Sequence, residues 1–219
     1  MNEKRYFLKS GCMIRLSDKI YVSVFSFIAA VFFGASQGVL YSVMFFYAVM
    51  IHELAHIVFL TYFGGKIQRV SVYPFGIDIL ADTHALSYKK EFVVALAGCS
   101  ANLTHALIGC IIFYFSPSPY LLFFIISHLA PALFNLIPLS CFDGGRAVRL
   151  MLYDSFDIDT AYRLWKLCDL LSSLFLLWVC FLSVLYSGIN LSVLILAVYA
   201  SSTIIYMCIT KRSRLLSAP

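Results

Sequence analysis

Three residues in the first third of the chain have the types and the spacing of a metal site. His52, Glu53 and His56 form the pattern HExxH inside an apolar run from Val39 to Phe63. On a helix the two histidines lie one turn apart on the same face, and Glu53 can reach a water at the same metal. Simple polar pairing between helices is the alternative, but ionisable groups in hydrocarbon are costly. The pattern predicts a zinc site with Glu53 as its base.

A zinc ion held by two histidines needs a further ligand from the protein, and Asp143 is the main candidate. It ends the fourth apolar stretch, and Gly144-Gly145 after it should let the backbone leave the helix and aim the carboxylate inward. His56 lies about seven residues, or roughly 10 Å of helix, from the same end of its own span. A helix-ending turn at the surface is the other role open to Asp143.

Four more polar residues lie in or near apolar stretches. His105 and His128 have no partner at metal-site spacing, so we expect them to form hydrogen bonds between helices. Asn102 and Asn135 differ in kind, because a buried amide can donate a hydrogen bond to a developing oxyanion. Spacing alone leaves that role open.

Composition excludes an ordinary soluble domain. Hydrophobic residues make up 62% of the 219 residues, charged residues 12%, and the mean hydropathy is +0.90. Six apolar stretches have spanning length: Ile20 to Ser36, Val39 to Phe63, Phe92 to Phe115, Tyr120 to Phe142, Leu167 to Tyr186 and Leu191 to Ile209. The sequence therefore predicts a polytopic protein of the cell membrane.

The basic residues predict its orientation. All 16 lysines and arginines fall before the first stretch, between the second and third, after the fourth, or after the sixth. Because cytoplasmic loops collect positive charge, both termini should be cytoplasmic. The net charge of +5 then reflects topology, with no nucleic-acid partner expected. A cleaved signal peptide is the alternative for the first stretch, but its bulky aromatic content favours a retained helix.

Between the second and third stretches, Lys66 to Asp82 is the least helical segment. Valines alternate with polar residues there, and Pro74-Phe75-Gly76 offers a turn, which predicts a membrane-associated β-hairpin. It is either a simple connector or an edge strand that pairs with an extended peptide. Further along, Gly144 to Tyr153 is typical of an interfacial helix, and Asp159 is expected to cap a helix beginning near Thr160.

The predicted fold is an all-α polytopic membrane protein of about six transmembrane helices with this short hairpin after the second. Pro138 should break the fourth helix one turn before its end. No repeat or linker is visible, so residues 1–219 are expected to form a single domain with a catalytic core at about 39–146. The seven cysteines lack CxxC pairs, which argues against a zinc finger or a disulfide framework.

Three motifs together resemble the site-2 protease family of intramembrane zinc metalloproteases, and specifically the compact bacterial branch that includes the stage IV sporulation protease. They are His52-Glu53-Leu54-Ala55-His56, Ala97-Gly98 followed by Asn102, and Asn135 to Arg146 with Asp143-Gly144-Gly145. The segment from Gly64-Gly65 to Gly76 is also similar to the family's membrane-associated hairpin. Ala55, Cys99, Ile77 and Cys141-Phe142 depart from the usual pattern, and no PDZ or CBS domain is expected.

The resemblance implies zinc bound by His52, His56 and Asp143, with Glu53 activating water. Asn102 and Asn135 would position the substrate or stabilise the tetrahedral intermediate. The implied activity is cleavage of a peptide bond in or beside a transmembrane segment of another membrane protein, within the bilayer and with a regulatory membrane partner as an option. A non-catalytic zinc-holding protein, or a pseudoprotease that binds single-span partners, is the alternative, and a metal transporter is a weaker one.

Overall fold

The computed structural model describes residues 13–73, 76–83, 86–187, 197–198 and 201–202. Helices account for 74% of it, beside one small sheet. The chain divides into two units, Met1–Phe134 and Asn135–Pro219, which are described in turn. The single-domain organisation stays a prediction.

The first unit contains four helices: α1 (Val24–Gln37), α2 (Val39–Tyr62), α3 (Tyr88–Phe115) and α4 (Pro119–Asn135, which ends at the unit boundary). The end of α2 is defined by a turn in which Gly65 N–H donates to Leu60 O and Gly64 N–H donates to Thr61 O. Gly64 has φ of 92°, a conformation that glycine adopts without a Cβ penalty. Three residues, 63–65, thus separate the end of α2 from the start of the next strand.

A four-stranded sheet lies in the first unit, with β1 (Met13–Arg15), β2 (Ile20–Ser23), β3 (Lys66–Tyr73) and β4 (Gly76–Asp82) in that order across it. The predicted hairpin is confirmed: β3 and β4 pair antiparallel from Lys66↔Asp82 to Tyr73↔Gly76. Pro74 and Phe75 of the predicted turn lie outside the described residues. β2 pairs parallel to β3, with Ile20 opposite Val70, and this addition to the hairpin was not predicted.

Two of the predicted spans are shorter as helices than the sequence predicted. The first was expected from Ile20, but Ile20–Ser23 is strand β2, and α1 begins at Val24 with Ser23 Oγ accepting from Phe25 N–H. The fourth was expected to reach Phe142, but α4 ends at Asn135. Pro138 was expected to break this helix, and α4 ends three residues before it. A tight turn encloses Pro138, with Leu139 N–H donating to Ile137 O, and another follows, with Phe142 N–H donating to Leu139 O.

The second unit contains α5 (Asp143–Ser155) and α6 (Ile158–Ser187). The predicted helix from Gly144 to Tyr153 is confirmed, while its place at a membrane surface stays a prediction. Leu152, Ala161 and Trp165 pack together between the two helices. The cap expected at Asp159 was wrong, because α6 starts earlier and the carboxylate of Asp157 accepts the Thr160 N–H at 3.0 Å.

Among the described residues, three helices are long and apolar enough to cross a membrane: Val39–Tyr62, Tyr88–Phe115 and Ile158–Tyr186. Many of their large apolar side chains are exposed, including Val39, Leu107 and Phe181. Such surfaces suit hydrocarbon as the solvent, so the chain is a membrane protein. The sixth predicted span, Leu191 to Ile209, lies almost entirely outside the described residues, and the count of six stays a prediction.

Candidate metal centre

His52 and His56 face each other on α2. They are one helical turn apart, and their Nε2 atoms are separated by 3.2 Å. His52 is 6% exposed, and His56 is partly buried. The predicted pairing of the two rings on one helix face is confirmed.

The protonated nitrogen of His56 is fixed by its surroundings. Its Nδ1 lies 2.7 Å from the carbonyl oxygen of Val94 on α3, and a carbonyl can only accept. Nδ1 of His56 therefore carries the proton, which leaves a lone pair on Nε2. This is the arrangement that most metal-ligating histidines show, with the second nitrogen donating to a fixed acceptor.

The geometry of the pair fits zinc. Two nitrogens bound at 2.0–2.1 Å in a tetrahedral arrangement lie about 3.3 Å apart. The observed separation of 3.2 Å between the Nε2 atoms is close to that value. Imidazole is also a donor that zinc prefers.

Gly98 on α3 makes room for both rings. A Cβ at this position would lie 2.7 Å from Cε1 and Nε2 of His52 and would also overlap Nε2 of His56. Only glycine therefore lets α3 approach the histidine face of α2 this closely. The Ala97-Gly98 motif thus has a direct steric role beside the histidines.

Asn102 lies one turn after Gly98 on the same face of α3 and is fully buried. Its Nδ2 is 3.4 Å from Nδ1 of His52, and its Oδ1 is 3.1 Å from Nδ1 of His128 on α4. Both polar atoms of the amide therefore contact ring nitrogens. The resemblance implies that Asn102 positions the substrate or stabilises the tetrahedral intermediate, and that role remains a prediction. The contact with His52 was not predicted, although the four-residue spacing places Gly98 and Asn102 on one face of α3.

His105 and His128 form the helix-to-helix hydrogen bonds that were predicted. Nε2 of His105 is 3.3 Å from the hydroxyl of Tyr47 on α2, and His128 contacts Asn102 as described above. The two rings stack, with centroids 5.0 Å apart and an angle of 12° between their planes. His128 is fully buried, and its Nε2 has no hydrogen-bond partner among the described residues.

Glu53 follows His52 directly on α2 and is partly buried. Its backbone adjoins that of His52, and its side chain leaves the helix about 100° around the axis from that of His52. The role of base that the motif predicts for it remains a prediction.

In the second unit, Asp143 is the first residue of α5, and Asn135 is the last of α4. The expectation that Gly144-Gly145 would release the backbone from a helix was wrong, since both glycines lie inside the first turn of α5. A Cβ on Gly144 would overlap the carbonyl of Leu136, and one on Gly145 would overlap the carbonyl of Leu139. The glycines are needed for close packing against the preceding loop.

That loop is also held by α6. The carboxylate of Asp169, which is 4% exposed, accepts the Ser140 N–H at 2.9 Å. Leu139 is fully buried and packs on Leu176 of the same helix. The sequence did not indicate Asp169, although a single acid inside an apolar stretch was a visible signal.

None of the five cysteines among the described residues is joined in a disulfide. They are Cys99, Cys110, Cys141, Cys168 and Cys180.

Two known proteins are similar to this chain, one in sequence and one in fold. No sequence profile of a known protein family matches the chain. Stage IV sporulation protein FB of Bacillus subtilis (strain 168), a member of the site-2 protease family, is 29% identical over 119 residues. The match covers 53% of this chain and 41% of that protein. The solved structure of the site-2 protease from Methanocaldococcus jannaschii superposes with a TM-score of 0.61 at 19% identity, and the match covers 87% of this chain and 94% of that one.

The chain resembles the site-2 proteases. The resemblance to site-2 proteases that the three motifs predicted is thereby confirmed. The likeness to the archaeal site-2 protease shows the fold, and the sporulation protein matches over less than half of its own length. Both relatives belong to a family of intramembrane metalloproteases.

Proposed function

We propose that this chain is an intramembrane zinc metalloendopeptidase, which cleaves a peptide bond within or next to a transmembrane segment of another membrane protein. The observation that carries the proposal is the histidine pair. Its Nε2 atoms lie at the separation of two zinc ligands, and the Nδ1 of His56 is committed to a backbone carbonyl. Glu53 directly follows His52, at the position where the glutamate of this motif serves as the base in metalloproteases.

The proposed ligand set is His52, His56 and Asp143, with Asp143 supplied from the start of α5. The support for Asp143 is its position in the segment Asn135 to Arg146, which resembles the third motif of the site-2 proteases. Three protein ligands leave one position open, as in catalytic zinc sites. Asn135, in the same motif, is proposed to bind the substrate backbone or the developing oxyanion.

Zinc at this site would supply Lewis acidity, polarising the scissile carbonyl and lowering the pKa of water. The proton transfers and the hydrogen bond to the substrate are assigned to residues of the chain. Glu53 accepts a proton from the water that attacks the carbonyl carbon, and then gives that proton to the leaving amine nitrogen as the C–N bond breaks. The amide of Asn135 donates to the carbonyl oxygen as negative charge develops there.

A transmembrane substrate must unwind before attack, because a helix hides its backbone. We propose that the unwound segment pairs with the hairpin Lys66 to Asp82. In the sheet order, β3 has a neighbour on both sides, whereas β4 lies at the edge. β4 is therefore the strand of the hairpin with backbone groups available to an extended peptide.

The proposed setting is the cell membrane, with six spans and both termini in the cytoplasm. The support is the placement of all 16 basic residues in loops that would share one side. The bilayer and a membrane-protein substrate are the proposed partners, together with a regulatory membrane partner.

The test measures zinc content and cleavage of a co-expressed panel of tagged single-span membrane proteins. Wild type is compared with Glu53→Gln, and Glu91→Gln on α3 serves as a matched control. We expect stoichiometric zinc in all three proteins, with cleavage lost only in Glu53→Gln. Cleavage at the wild-type rate by Glu53→Gln would refute the assignment of the base.

Zinc in wild type without cleavage of any panel member would favour the non-catalytic zinc-holding protein or pseudoprotease. A wild type that binds no zinc would overturn the metal centre itself. Asp143→Ala tests the third ligand separately: zinc content equal to wild type after purification would remove Asp143 from the ligand set.

A further inference from the structure

One face of α6 packs against both α5 and the loop that precedes α5. The buried residues of this face recur every three or four positions, as one side of a helix requires. They are Trp165, Asp169, Ser172, Ser173, Leu176 and Cys180. Trp165 packs with Leu152 of α5, and Leu176 packs with Leu139 of the loop. Asp169, the acidic member of the set, lies between these two apolar contacts.

This position is unfavourable for an acidic side chain. Asp169 is 4% exposed, and it lies in a helix that is long and apolar enough to cross a membrane. Acidic residues in such segments are costly to bury, and they are commonly found where they have a function. An apolar side chain would fill the same space without that cost. Packing alone therefore does not explain an acid at this position.

The carboxylate of Asp169 binds the turn that leads into α5. It accepts the Ser140 N–H at 2.9 Å. Ser140 is the second residue of a turn in which Phe142 N–H donates to Leu139 O at 2.9 Å. Asp143 follows this turn directly, as the first residue of α5. The hydrogen bond from α6 is thus made three residues before the proposed zinc ligand.

The side chain at the start of α5 does not cap the helix. Phe142 occupies the N-cap position, where a polar side chain commonly accepts a backbone N–H, and it makes no such hydrogen bond. The direction in which α5 starts therefore depends on the turn before it. Leu176 holds that turn by apolar packing, which is not directional, whereas the Asp169 hydrogen bond is directional.

We propose that Asp169 is a positioning residue for the metal centre. It holds the turn 139–142 through Ser140 N–H, and it thereby fixes where α5 presents the carboxylate of Asp143. This inference rests on the proposed role of Asp143 as a zinc ligand. A ligand has to be held within about 0.5 Å of its productive position, so a small shift of the turn is enough to weaken zinc binding.

The test is zinc affinity of the detergent-solubilised full chain, measured by competition with a chelator. Asp169→Leu keeps the branching of the side chain but cannot accept a hydrogen bond. It should bind zinc about 10- to 100-fold more weakly, the range typical for loss of a group that supports a ligand. Asp169→Asn keeps an acceptor oxygen and should bind zinc as wild type does. Wild-type affinity in Asp169→Leu would overturn the proposal, as would equally weak binding by both variants.

A double-mutant cycle decides whether the effect passes through Asp143. In Asp143→Ala the carboxylate that the turn positions is gone, so adding Asp169→Leu should cause no further loss of affinity. The titration uses zinc concentrations high enough to fill a site of two histidines. If the two losses add instead, Asp169 affects zinc by another route and the proposal is wrong.

Leu152→Ala is the control for a general loss of stability. Leu152 is buried and packs with Ala161 and Trp165, nine residues after Asp143 along α5. The cavity left by its truncation should lower the melting temperature more than Asp169→Leu does. Its zinc affinity should nevertheless equal that of wild type. A loss of affinity as large as that of Asp169→Leu would show that zinc binding follows stability alone, and would overturn the proposal.

The outcomes separate this inference from the proposed function. Absence of zinc binding by wild type would refute both, and wild-type affinity in Asp143→Ala would refute the third ligand together with the role of Asp169. Weaker binding by Asp143→Ala with wild-type affinity in Asp169→Leu would refute the role of Asp169 alone. If Asp169→Leu does not fold, Asp169→Ala takes its place with the same expected results.

Discussion

In the first unit, the rings of His52 and His56 contact a side chain and a carbonyl of α3, whereas in the second unit the backbone beside Asp143 is held by the close packing of two glycines. The imidazole of His52 contacts Asn102, and that of His56 contacts the Val94 carbonyl. Asp143 instead begins a helix whose next two residues pack against the carbonyls of Leu136 and Leu139. Contacts in the first unit orient the ring nitrogens of the two histidines, and packing in the second unit holds the backbone at the start of α5.

The difference predicts different responses to substitution. A side chain that presses on flexible or rotatable groups changes their orientation, and the effect should appear in zinc binding. A new side chain that overlaps packed backbone atoms cannot be accommodated by a change of rotamer. Its effect should therefore appear in the free energy of unfolding. The predictions below test that contrast, beginning with the largest effect.

Gly145→Ala should destabilise the protein most. The new Cβ would overlap the Leu139 carbonyl, and Leu139 is itself fully buried. We expect a loss above about 4 kcal/mol in the free energy of unfolding, or failure to fold. The measurement is unfolding in detergent. Gly34→Ala is the control, because the nearest atom to its Cβ would be Ser42 Oγ at 3.9 Å, and alanine favours a helix.

Gly98→Ala should act mainly on binding. Its Cβ would displace the imidazoles of His52 and His56, and about 1–3 kcal/mol of stability should be lost through overpacking. We expect a folded protein whose zinc affinity falls by at least about tenfold. A variant with wild-type affinity would show that the rings have more freedom than the contacts imply, and would remove the contrast between the units.

Asp169 tests whether the second unit also depends on a side chain. Asp169→Asn keeps an oxygen that can accept the Ser140 N–H, whereas Asp169→Leu has a similar volume and no acceptor. The asparagine variant should therefore be more stable than the leucine variant by about 1 kcal/mol, the usual net worth of one hydrogen bond. Thermal unfolding of both measures the difference. Equal stability would mean that packing alone holds the loop.

The smallest effect is expected at the exposed start of α6. The backbone N–H of Thr160 donates to Asp157 and lowers the pKa of that carboxyl from 3.8. Because the folded pKa is depressed, the stabilisation is fully present above pH 3.8 and is lost as the pH falls through the folded pKa. Asp157→Ser keeps a cap without a titrating group, so its stability should fall less between pH 5 and pH 2 than that of wild type.

Local patterns could be predicted from the sequence, and long-range contacts could not. The four-residue spacing of His52 and His56 fixed their shared face, and the alternation in Lys66 to Asp82 predicted both strands of the hairpin. Ile20–Ser23 was assigned to a span because its residues are as apolar as those of a helix, but it is a strand that pairs with β1 and β3. Its pairing with the distant strand β3 cannot be predicted from a local pattern.

The same limit applies to the candidate site. Buried polar residues such as His105 and His128 could be expected to pair between helices, but the identity of the partner depends on how helices pack. Asn102 could therefore be singled out as a candidate, while its contacts with His52 and His128 were not predicted. The start of α5 was misjudged for a related reason: the glycines at 144 and 145 suggested freedom of the backbone, whereas close packing required them.

The parallel pairing of β2 with β3 also has a consequence for the order of folding. β2 precedes α1 and α2 in the chain, and β3 follows them, so this pair closes only after both helices have been synthesised and brought together. Closure over so long a loop is slow and contributes late, after the local β3–β4 hairpin can already exist. Hydrogen exchange at Val70, whose N–H donates to Lys19 O, should therefore report when α1 and α2 have assembled.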